Sequence, residues 1–172
     1  MTYFRAIDPF PLEAAEHTKL HEFYVRLGQG RLATTRCDAC GARAWPPRGF
    51  CGECASDRFE WVDLPSDGVV HAFTVQETGL PAGFEGPRVF AIVKVDGLRV
   101  FTIVTGANPA SIAIGQRVRL APMRVADDPK GNARWLPAFE VMRDAPAPER
   151  AGHPSGPDTR AGGREPGSPR VQ

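Results

Sequence analysis

Residues 37–54 read CDACGARAWPPRGFCGEC and contain all four cysteines of the 172-residue chain. Two residues separate Cys37 from Cys40, two separate Cys51 from Cys54, and ten lie between the pairs. In a CxxC pair, one tight turn points two thiolates and nearby backbone N–H groups at the same metal ion. Two such turns complete a tetrahedral site. The spacing therefore predicts a zinc ribbon over residues 31–62, with these four cysteines as the ligands.

Three other interpretations of the cysteines stay open at this point. Disulfide bonds need an oxidising compartment, and nothing in the sequence predicts export. A redox-active CxxC motif accounts for one pair and leaves the second without a role. Iron is a chemically permitted occupant, because four thiolates bind iron as well as zinc. Four thiolates also close the coordination shell, so the predicted role of the metal is structural rather than catalytic.

The segment before the ribbon, residues 1–30, is predicted to be helical. Pro9 and Pro11 suit the start of a helix. Glu13 and Glu16 suit a first turn, which faces the positive end of the helix dipole.

An apolar stripe at helical spacing supports this helix. Its residues are Leu20, Phe23, Tyr24 and Leu27. Gly28 and Gly30 are expected to end the helix. The stripe packs either on the protein's own body or on a partner chain. His17 and His21 are four residues apart and share a face of the predicted helix, where solvated side chains are expected rather than a metal pair.

The part after the ribbon, residues 63–144, is predicted to form five short strands. They are expected at residues 69–76, 88–95, 98–104, 117–120 and 135–142. Asp96-Gly97 between two β-branched runs is a strong hairpin signal. A helical turn over residues 109–114, capped by Asn108, is expected between the third and fourth strands. This order of elements is typical of an OB-fold barrel.

Residues 145–172 contain six prolines, five glycines and one large apolar residue, Val171. Such a segment cannot bury enough surface to offset its ordering entropy, so it is predicted to be a disordered tail. No apolar run approaches the roughly 20 residues of a membrane span. The first residues lack the hydrophobic region of a signal peptide. A soluble, cytoplasmic protein without membrane contact is therefore expected.

Charge and chemistry narrow the function further. Residues 1–144 carry 17 basic and 17 acidic side chains, which lacks the basic excess of a phosphate-backbone binder. No cysteine is left over as a nucleophile, and there is no glycine-rich phosphate loop and no paired-carboxylate signature. His71 lies in a predicted strand, where a packing or surface role is expected. The chain by itself is therefore not expected to be an enzyme.

Candidate contact residues lie in the ribbon and around a glycine- and proline-rich loop, residues 79–87. Arg48 and Arg88 are predicted contacts for phosphates or for a partner's acidic surface, because a guanidinium binds phosphate bidentately. Phe84 is predicted to pack on a partner or on pantetheine. The alternatives are solvated charges for the arginines, local packing for Phe84 and an ordinary connector for the loop. Further arginines or lysines with the same predicted role are Arg43, Arg58 and Lys94.

Short motifs follow one another in a characteristic order along the chain. They are Phe23-Tyr24 with Leu27, Gly30 and Leu32; the CxxCG turn; Pro46-Pro47-Arg48; Trp61; Gly68-Val69-Val70; Gly83-Phe84; and Ile114-Gly115 with Val118. In this combination, residues 20–143 resemble the zinc-ribbon plus OB-fold family of acyl-CoA-associated proteins, also called the domain of unknown function 35 family. His71 departs from the family, where an aromatic residue often stands, and the tail is not a family feature.

The resemblance implies a mainly β fold: an N-terminal helix, a rubredoxin-like zinc ribbon and a five-stranded OB-fold barrel. It also implies a non-catalytic accessory subunit of a thiolase-superfamily enzyme that condenses, transfers or cleaves acyl groups, including sterol side-chain aldolases of lipid or steroid metabolism. The partner would hold the catalytic residues, in a hetero-oligomer of two plus two chains. Structural Zn²⁺ and a bound coenzyme A thioester are the implied ligands.

Two other functions compete with this one. Zinc ribbons and OB-folds both occur in single-stranded nucleic-acid-binding modules, in which Phe73, Phe90 and Phe101 would stack on bases. The charge balance opposes that function, and so does the apolar alternation, which is expected to place several of these rings in the core. The third hypothesis is a stand-alone enzyme that turns over acyl-CoA without a partner.

Overall fold

The computed structural model describes residues 8–80, 83–106 and 108–142. The predicted tail, residues 145–172, lies outside these ranges. In chain order the elements are α1 (His21–Gly28), β1 (Ala33–Cys37), β2 (Phe59–Asp63), β3 (Asp67–Gln76), β4 (Arg88–Val95), β5 (Leu98–Thr105), a 3-10 helix (Pro109–Ser111), β6 (Arg117–Leu120), β7 (Met123–Val125), β8 (Arg134–Leu136) and β9 (Ala138–Val141).

Five of the strands close into a barrel in the order β3-β4-β5-β9-β6. Alternate residues of β4 point inward, so that Val89, Ala91, Val93 and Val95 are buried. Asp96 and Gly97 turn the chain between β4 and β5, both with positive φ, as the sequence predicts. The 3-10 helix lies between the third and fourth barrel strands, with the Asn108 side chain accepting from Ala110 N–H at 3.0 Å. The predicted fold is confirmed.

Strand β3 is long and bends as it joins the barrel. A Cβ at Gly68 would lie 2.5 Å from Cγ1 of Val93, so only glycine allows this close approach of backbone to side chain. The pairing of β3 with β4 then shifts register between Val70 and Ala72, which places His71 at a bulge. His71 is half-buried there.

The ribbon and the helix pack on one end of the barrel. Strands β1 and β2 pair in an antiparallel sheet of their own. Phe23 and Leu27 of α1, together with Leu32 and Leu64 beside the ribbon sheet, belong to the same buried cluster as the barrel valines. Phe23 and Leu27 of the apolar stripe therefore pack on the protein's own body, the first of the two alternatives that the sequence left open.

The helix is shorter than predicted, because it begins at His21 and not near Pro11. The preceding residues form irregular turns, which polar side chains hold in place. The Glu13 carboxylate accepts a hydrogen bond from the backbone N–H of Trp135 at 2.9 Å. His21 Nδ1 donates to the Glu13 carbonyl at 2.7 Å, so this ring is half-buried rather than solvated. His17 precedes the helix, and the predicted shared helical face of the two histidines is wrong.

The last predicted strand is divided into two. Pro137 separates β8 from β9 and has no N–H group for a continuous ladder. β8 pairs with β7 outside the barrel, whereas β9 pairs with β5 and β6 and closes it. Strand β7 was absent from the prediction. Among the residues described here, no helix has the length and apolar character needed to span a bilayer.

Candidate metal centre and contact surfaces

Two similar turns present the four cysteines to one point. In the first, Gly41 N–H donates to the Cys37 carbonyl at 2.9 Å, and in the second, Ala55 N–H donates to the Cys51 carbonyl at 3.0 Å. Gly41 and Ala55 each follow the second cysteine of a pair, with φ of 73° and 59°. This left-handed conformation turns the chain away from the cluster. The ribbon thus uses the same local geometry twice.

The sulfur positions fit a tetrathiolate metal site. All four Sγ atoms lie within 4.8 Å of one another, and the Cys37–Cys54 and Cys40–Cys51 separations are 3.6 and 3.5 Å. Four thiolates at about 2.3 Å from a tetrahedral zinc are about 3.8 Å apart. A disulfide requires about 2.05 Å, and all four cysteines are free. The predicted ligands therefore come together, and the disulfide interpretation does not describe this structure.

Backbone N–H groups favour the thiolate at the buried end of the cluster. Those of Cys40 and Ala39 lower the pKa of the Cys37 thiol to about 6. Neighbouring sulfurs raise the pKa of the Cys40 and Cys54 thiols against the effect of the Ala42 and Ser56 backbone N–H groups, so the turns favour the thiolate at Cys37 and not at all four cysteines.

A hollow of about 180 Å³ lies beside the cysteines, and three arginines are among the residues that line it. Arg43 reaches out of it to Asp96 at 2.5 Å, which ties the ribbon to the barrel hairpin. Arg48 is fixed through its backbone, where N–H donates to Thr35 Oγ1 and C=O accepts from it, both at 3.1 Å. Its side chain stays exposed, as does that of Arg58. Positive charge thus lies next to a cluster that is anionic when loaded with metal.

Phe84 and Arg88 contact each other on a different part of the molecule. The Phe84 ring packs edge-on against Phe10, with centroids 5.8 Å apart. The Arg88 guanidinium lies 6.0 Å from the Phe84 centroid, and its Nε donates to the Glu85 carbonyl at 2.9 Å. Phe84 therefore packs on Phe10, and its predicted contact with a partner or with pantetheine stays a prediction. Residues 81–82 of the same loop lie outside the described ranges.

The rings of Phe73, Phe90 and Phe101 do not lie in the core, contrary to the expectation from alternation. Phe101 is 64% exposed and Phe73 is 37% exposed, whereas Phe90 is half-buried. The rings of Phe90 and Phe101 stack on the outer face, with centroids 6.0 Å apart and planes 5° from parallel. Alternation places Val89, Ala91 and Val100 inside instead.

A buried polar cluster that sequence reasoning missed joins the N-terminal segment to β8. Arg134 is 1% exposed and donates to Asp8 Oδ2 at 2.8 Å and to the Ala126 carbonyl at 2.8 Å. Its guanidinium also lies 5.4 Å from the Phe10 centroid. Burial raises the pKa of neighbouring Glu13 to about 7. No spacing pattern links residues so far apart in sequence, so the sequence could not predict this cluster. All three guanidinium nitrogens of Arg134 donate hydrogen bonds within the fold.

Comparison with known proteins agrees with this geometry. Residues 26–60 match the rubredoxin-like zinc ribbon domain of ChsH2, and residues 61–121 match its C-terminal OB-fold domain. The two matches adjoin and together span more than half of the 172 residues. None of the curated proteins compared matches the chain.

Solved structures show the same architecture. A chain of the "Ltp2-ChsH2(DUF35) aldolase" is 29% identical, with a TM-score of 0.62, over 74% of this chain and 98% of that one. A DUF35-family protein of unknown function from Sulfolobus solfataricus is 16% identical, with a TM-score of 0.50, over 71% and 84% of the two chains, and shares the fold. With the ribbon and the barrel matched in chain order, the chain belongs to the ChsH2-type zinc-ribbon and OB-fold family, also called DUF35.

Proposed function

We propose that this chain is a non-catalytic subunit of a thiolase-like enzyme that acts on acyl-CoA thioesters by condensation, acyl transfer or retro-aldol cleavage. The observation that carries the proposal is the similarity to a chain of the Ltp2-ChsH2(DUF35) aldolase over 98% of that chain's length. The buried charged side chains of the described part agree with this proposal, because Glu13 and Arg134 are both engaged in hydrogen bonds within the fold.

The four cysteines, in this proposal, are ligands of a structural Zn²⁺. The sulfur separations suit the ion, and the ribbon sheet of two short strands has little core of its own. Bound zinc would cross-link the two turns, and in small zinc peptides such binding contributes on the order of 10–16 kcal/mol of folding energy. Iron fits the same ligands, so metal analysis of the purified chain distinguishes the two.

A contribution to coenzyme A binding is the finer part of the proposal. Arg48 offers an exposed guanidinium beside the ribbon hollow, and Arg88 offers a half-buried one on the barrel next to Phe84. Guanidinium groups bind phosphates bidentately. If either residue contacts the CoA phosphates, its replacement by glutamine should raise KM for the acyl-CoA in the complex and leave kcat unchanged.

Co-purification of the tagged full chain from its host tests the proposal. We expect recovery of a thiolase-superfamily protein, a mass by light scattering that fits two plus two chains, and acyl-CoA turnover only when both proteins are present. Turnover by the chain alone would contradict the non-catalytic role. Recovery of the chain without such a partner would contradict the proposal as a whole.

Single-stranded nucleic-acid binding is the second candidate, and the exposed Phe101 ring on an OB-fold strand favours it. The equal numbers of basic and acidic side chains in residues 1–144 oppose it. A gel-shift assay at low salt decides between them, because electrostatic binding is strongest there. We expect no shift with single-stranded DNA or RNA.

A further inference from the structure

The outer face of β4 and β5 exposes contiguous apolar side chains. Phe101 is 64% exposed and stacks on Phe90. Ile92 lies directly opposite Phe101 in the strand register, so its side chain projects from the same face. Single exposed apolar residues are ordinary, whereas a contiguous apolar surface marks an interaction site. We call the surface formed by Phe90, Ile92 and Phe101 the barrel face.

The barrel face continues into a groove of about 390 Å³. Phe101 and Arg99 of β5 form one side of it. The other walls come from α1, from the loop between β1 and β2, and from the β8–β9 junction, and include Tyr24, Trp45, Pro46 and Leu136. Helix, ribbon and barrel therefore build one apolar depression, which suits the insertion of apolar side chains.

Two basic residues border this surface in an arrangement that is unfavourable for the chain alone. Lys94 and Arg99 lie directly opposite each other in the β4–β5 register. Like charges at opposed positions destabilise an antiparallel pair. Asp96, in the turn that joins these strands, is held by Arg43. An external carboxylate would relieve the repulsion between Lys94 and Arg99.

We propose that the barrel face and its groove are the docking surface for a partner protein that presents carboxylates beside apolar side chains. The partner's apolar groups enter the groove, and its carboxylates pair with Lys94 and Arg99. The existence of a partner rests on the proposed function, whereas the position and chemistry of the surface rest on these residues. Central apolar contacts with charged groups at the rim are the usual anatomy of a protein interface.

Two other occupants fit these observations less well. A nucleic acid would pair a phosphate with Arg99 or Lys94 and stack on the aromatic rings, but the equal numbers of basic and acidic side chains in residues 1–144 oppose binding of a phosphate backbone. The chain's own residues 145–172 contain one large apolar residue, Val171, and cannot fill an apolar groove. A protein surface supplies both apolar groups and carboxylates.

Site-specific crosslinking in the host of origin tests the proposal. Photoreactive benzoylphenylalanine is placed at position 101 of the full chain and, as a matched control, at position 114, because Phe101 and Ile114 are both 64% exposed. We expect position 101, and not position 114, to crosslink to one protein. That protein, once purified, should bind Phe101→Ser and Arg99→Glu at least tenfold more weakly than the wild type and bind Ile114→Ser unchanged. Each variant must retain the wild-type thermal unfolding temperature.

The other outcomes overturn the proposal. They are a crosslink to RNA, to a second copy or to residues 1–7 of the same chain, the absence of any position-specific crosslink, and unchanged binding by both variants. The two proposals also fail separately. If the crosslinked protein lay outside the thiolase superfamily and lost affinity for both variants, the docking surface would be supported and the proposed function refuted. If a thiolase-like protein bound both variants as tightly as the wild type, the proposed function would be supported and the docking surface refuted.

Discussion

At the scale of single residues, the two cysteine turns differ where they should be equivalent. Both need a left-handed residue after the second cysteine; the first has Gly41 and the second has Ala55. A side chain in this conformation costs roughly 1 kcal/mol, which glycine avoids. Ala55→Gly should therefore raise the free energy of unfolding by about 0.5–1 kcal/mol, and Gly41→Ala should lower it by about 1 kcal/mol. Urea unfolding of the metal-loaded chain measures both, and equal signs would contradict the argument.

Glu13 should make stability depend on pH. Burial raises its pKa from the ordinary 4.5 to about 7, so the folded state favours the protonated carboxyl. The contribution of Glu13 to the free energy of unfolding is fully present below pH 4.5 and is lost as the pH rises through about 7. Glu13→Gln keeps an acceptor for Trp135 N–H and removes the ionisation. The difference in free energy of unfolding between the variant and the wild type should therefore rise between pH 5 and pH 8, in favour of the variant. The rise should be on the order of 1–2 kcal/mol after allowance for partial solvation.

The control for this pH dependence lies three residues away. Glu16 is exposed, and the hydrogen bond from Lys130 lowers its pKa. Its contribution is therefore present at neutral pH and lost on acidification, opposite in sign to that of Glu13. Urea unfolding of wild type, Glu13→Gln and Glu16→Gln at both pH values measures the difference. If the free energy of unfolding of Glu13→Gln changed with pH in parallel with that of the wild type, Glu13 would not be the source of the pH dependence.

At the scale of elements, Arg134 fastens the N-terminal segment and β8 together. Its guanidinium donates to Asp8, Phe10, Ala126 and Asp127, with an exposed fraction of 1%. Arg134→Met should cost roughly 2–4 kcal/mol, because it leaves buried carbonyl groups without donors. Hydrogen exchange of residues 8–20 should rise more than that of the barrel strands.

Arg124 provides the control for this substitution. It is exposed on β7 and pairs with Asp127 at 2.9 Å. Arg124→Met should change stability by less than about 0.5 kcal/mol, since exposed ion pairs contribute little. Equal losses in the two variants would show that burial of Arg134 is not the source of its effect.

The same elements show what the sequence could and could not predict. The cysteine spacing and Asp96-Gly97 act through local geometry, and both gave the correct structure. In residues 88–95 one face holds only Val89, Ala91, Val93 and Val95, whereas the face of Phe90 also holds Arg88 and Lys94, and the expectation that several of the three phenylalanine rings lie in the core was wrong. The start of the helix depends on Glu13 meeting Trp135, a contact across the fold that no local pattern contains.

At the scale of the whole molecule, the ribbon does not have a hydrophobic core separate from that of the barrel. Leu32 and Leu64 beside the ribbon sheet share one buried cluster with Val70 and Val93 of the barrel. A metal that fixes the two cysteine turns therefore supports the walls of the docking groove, because Trp45 and Pro46 belong to the loop between those turns. The stability of the ribbon and the affinity for a partner are consequently linked.

Metal removal should expose this link. Chelation, or Cys51→Ser, is expected to release one zinc per chain, to raise hydrogen exchange over residues 31–62, and to lower the unfolding temperature of the barrel as well, because the core is shared. Affinity for the partner should fall with the metal content and return when zinc is restored to the wild type but not to Cys51→Ser. Full stability and full partner binding in the metal-free chain would show that the apolar core, and not the metal, holds the docking surface in place.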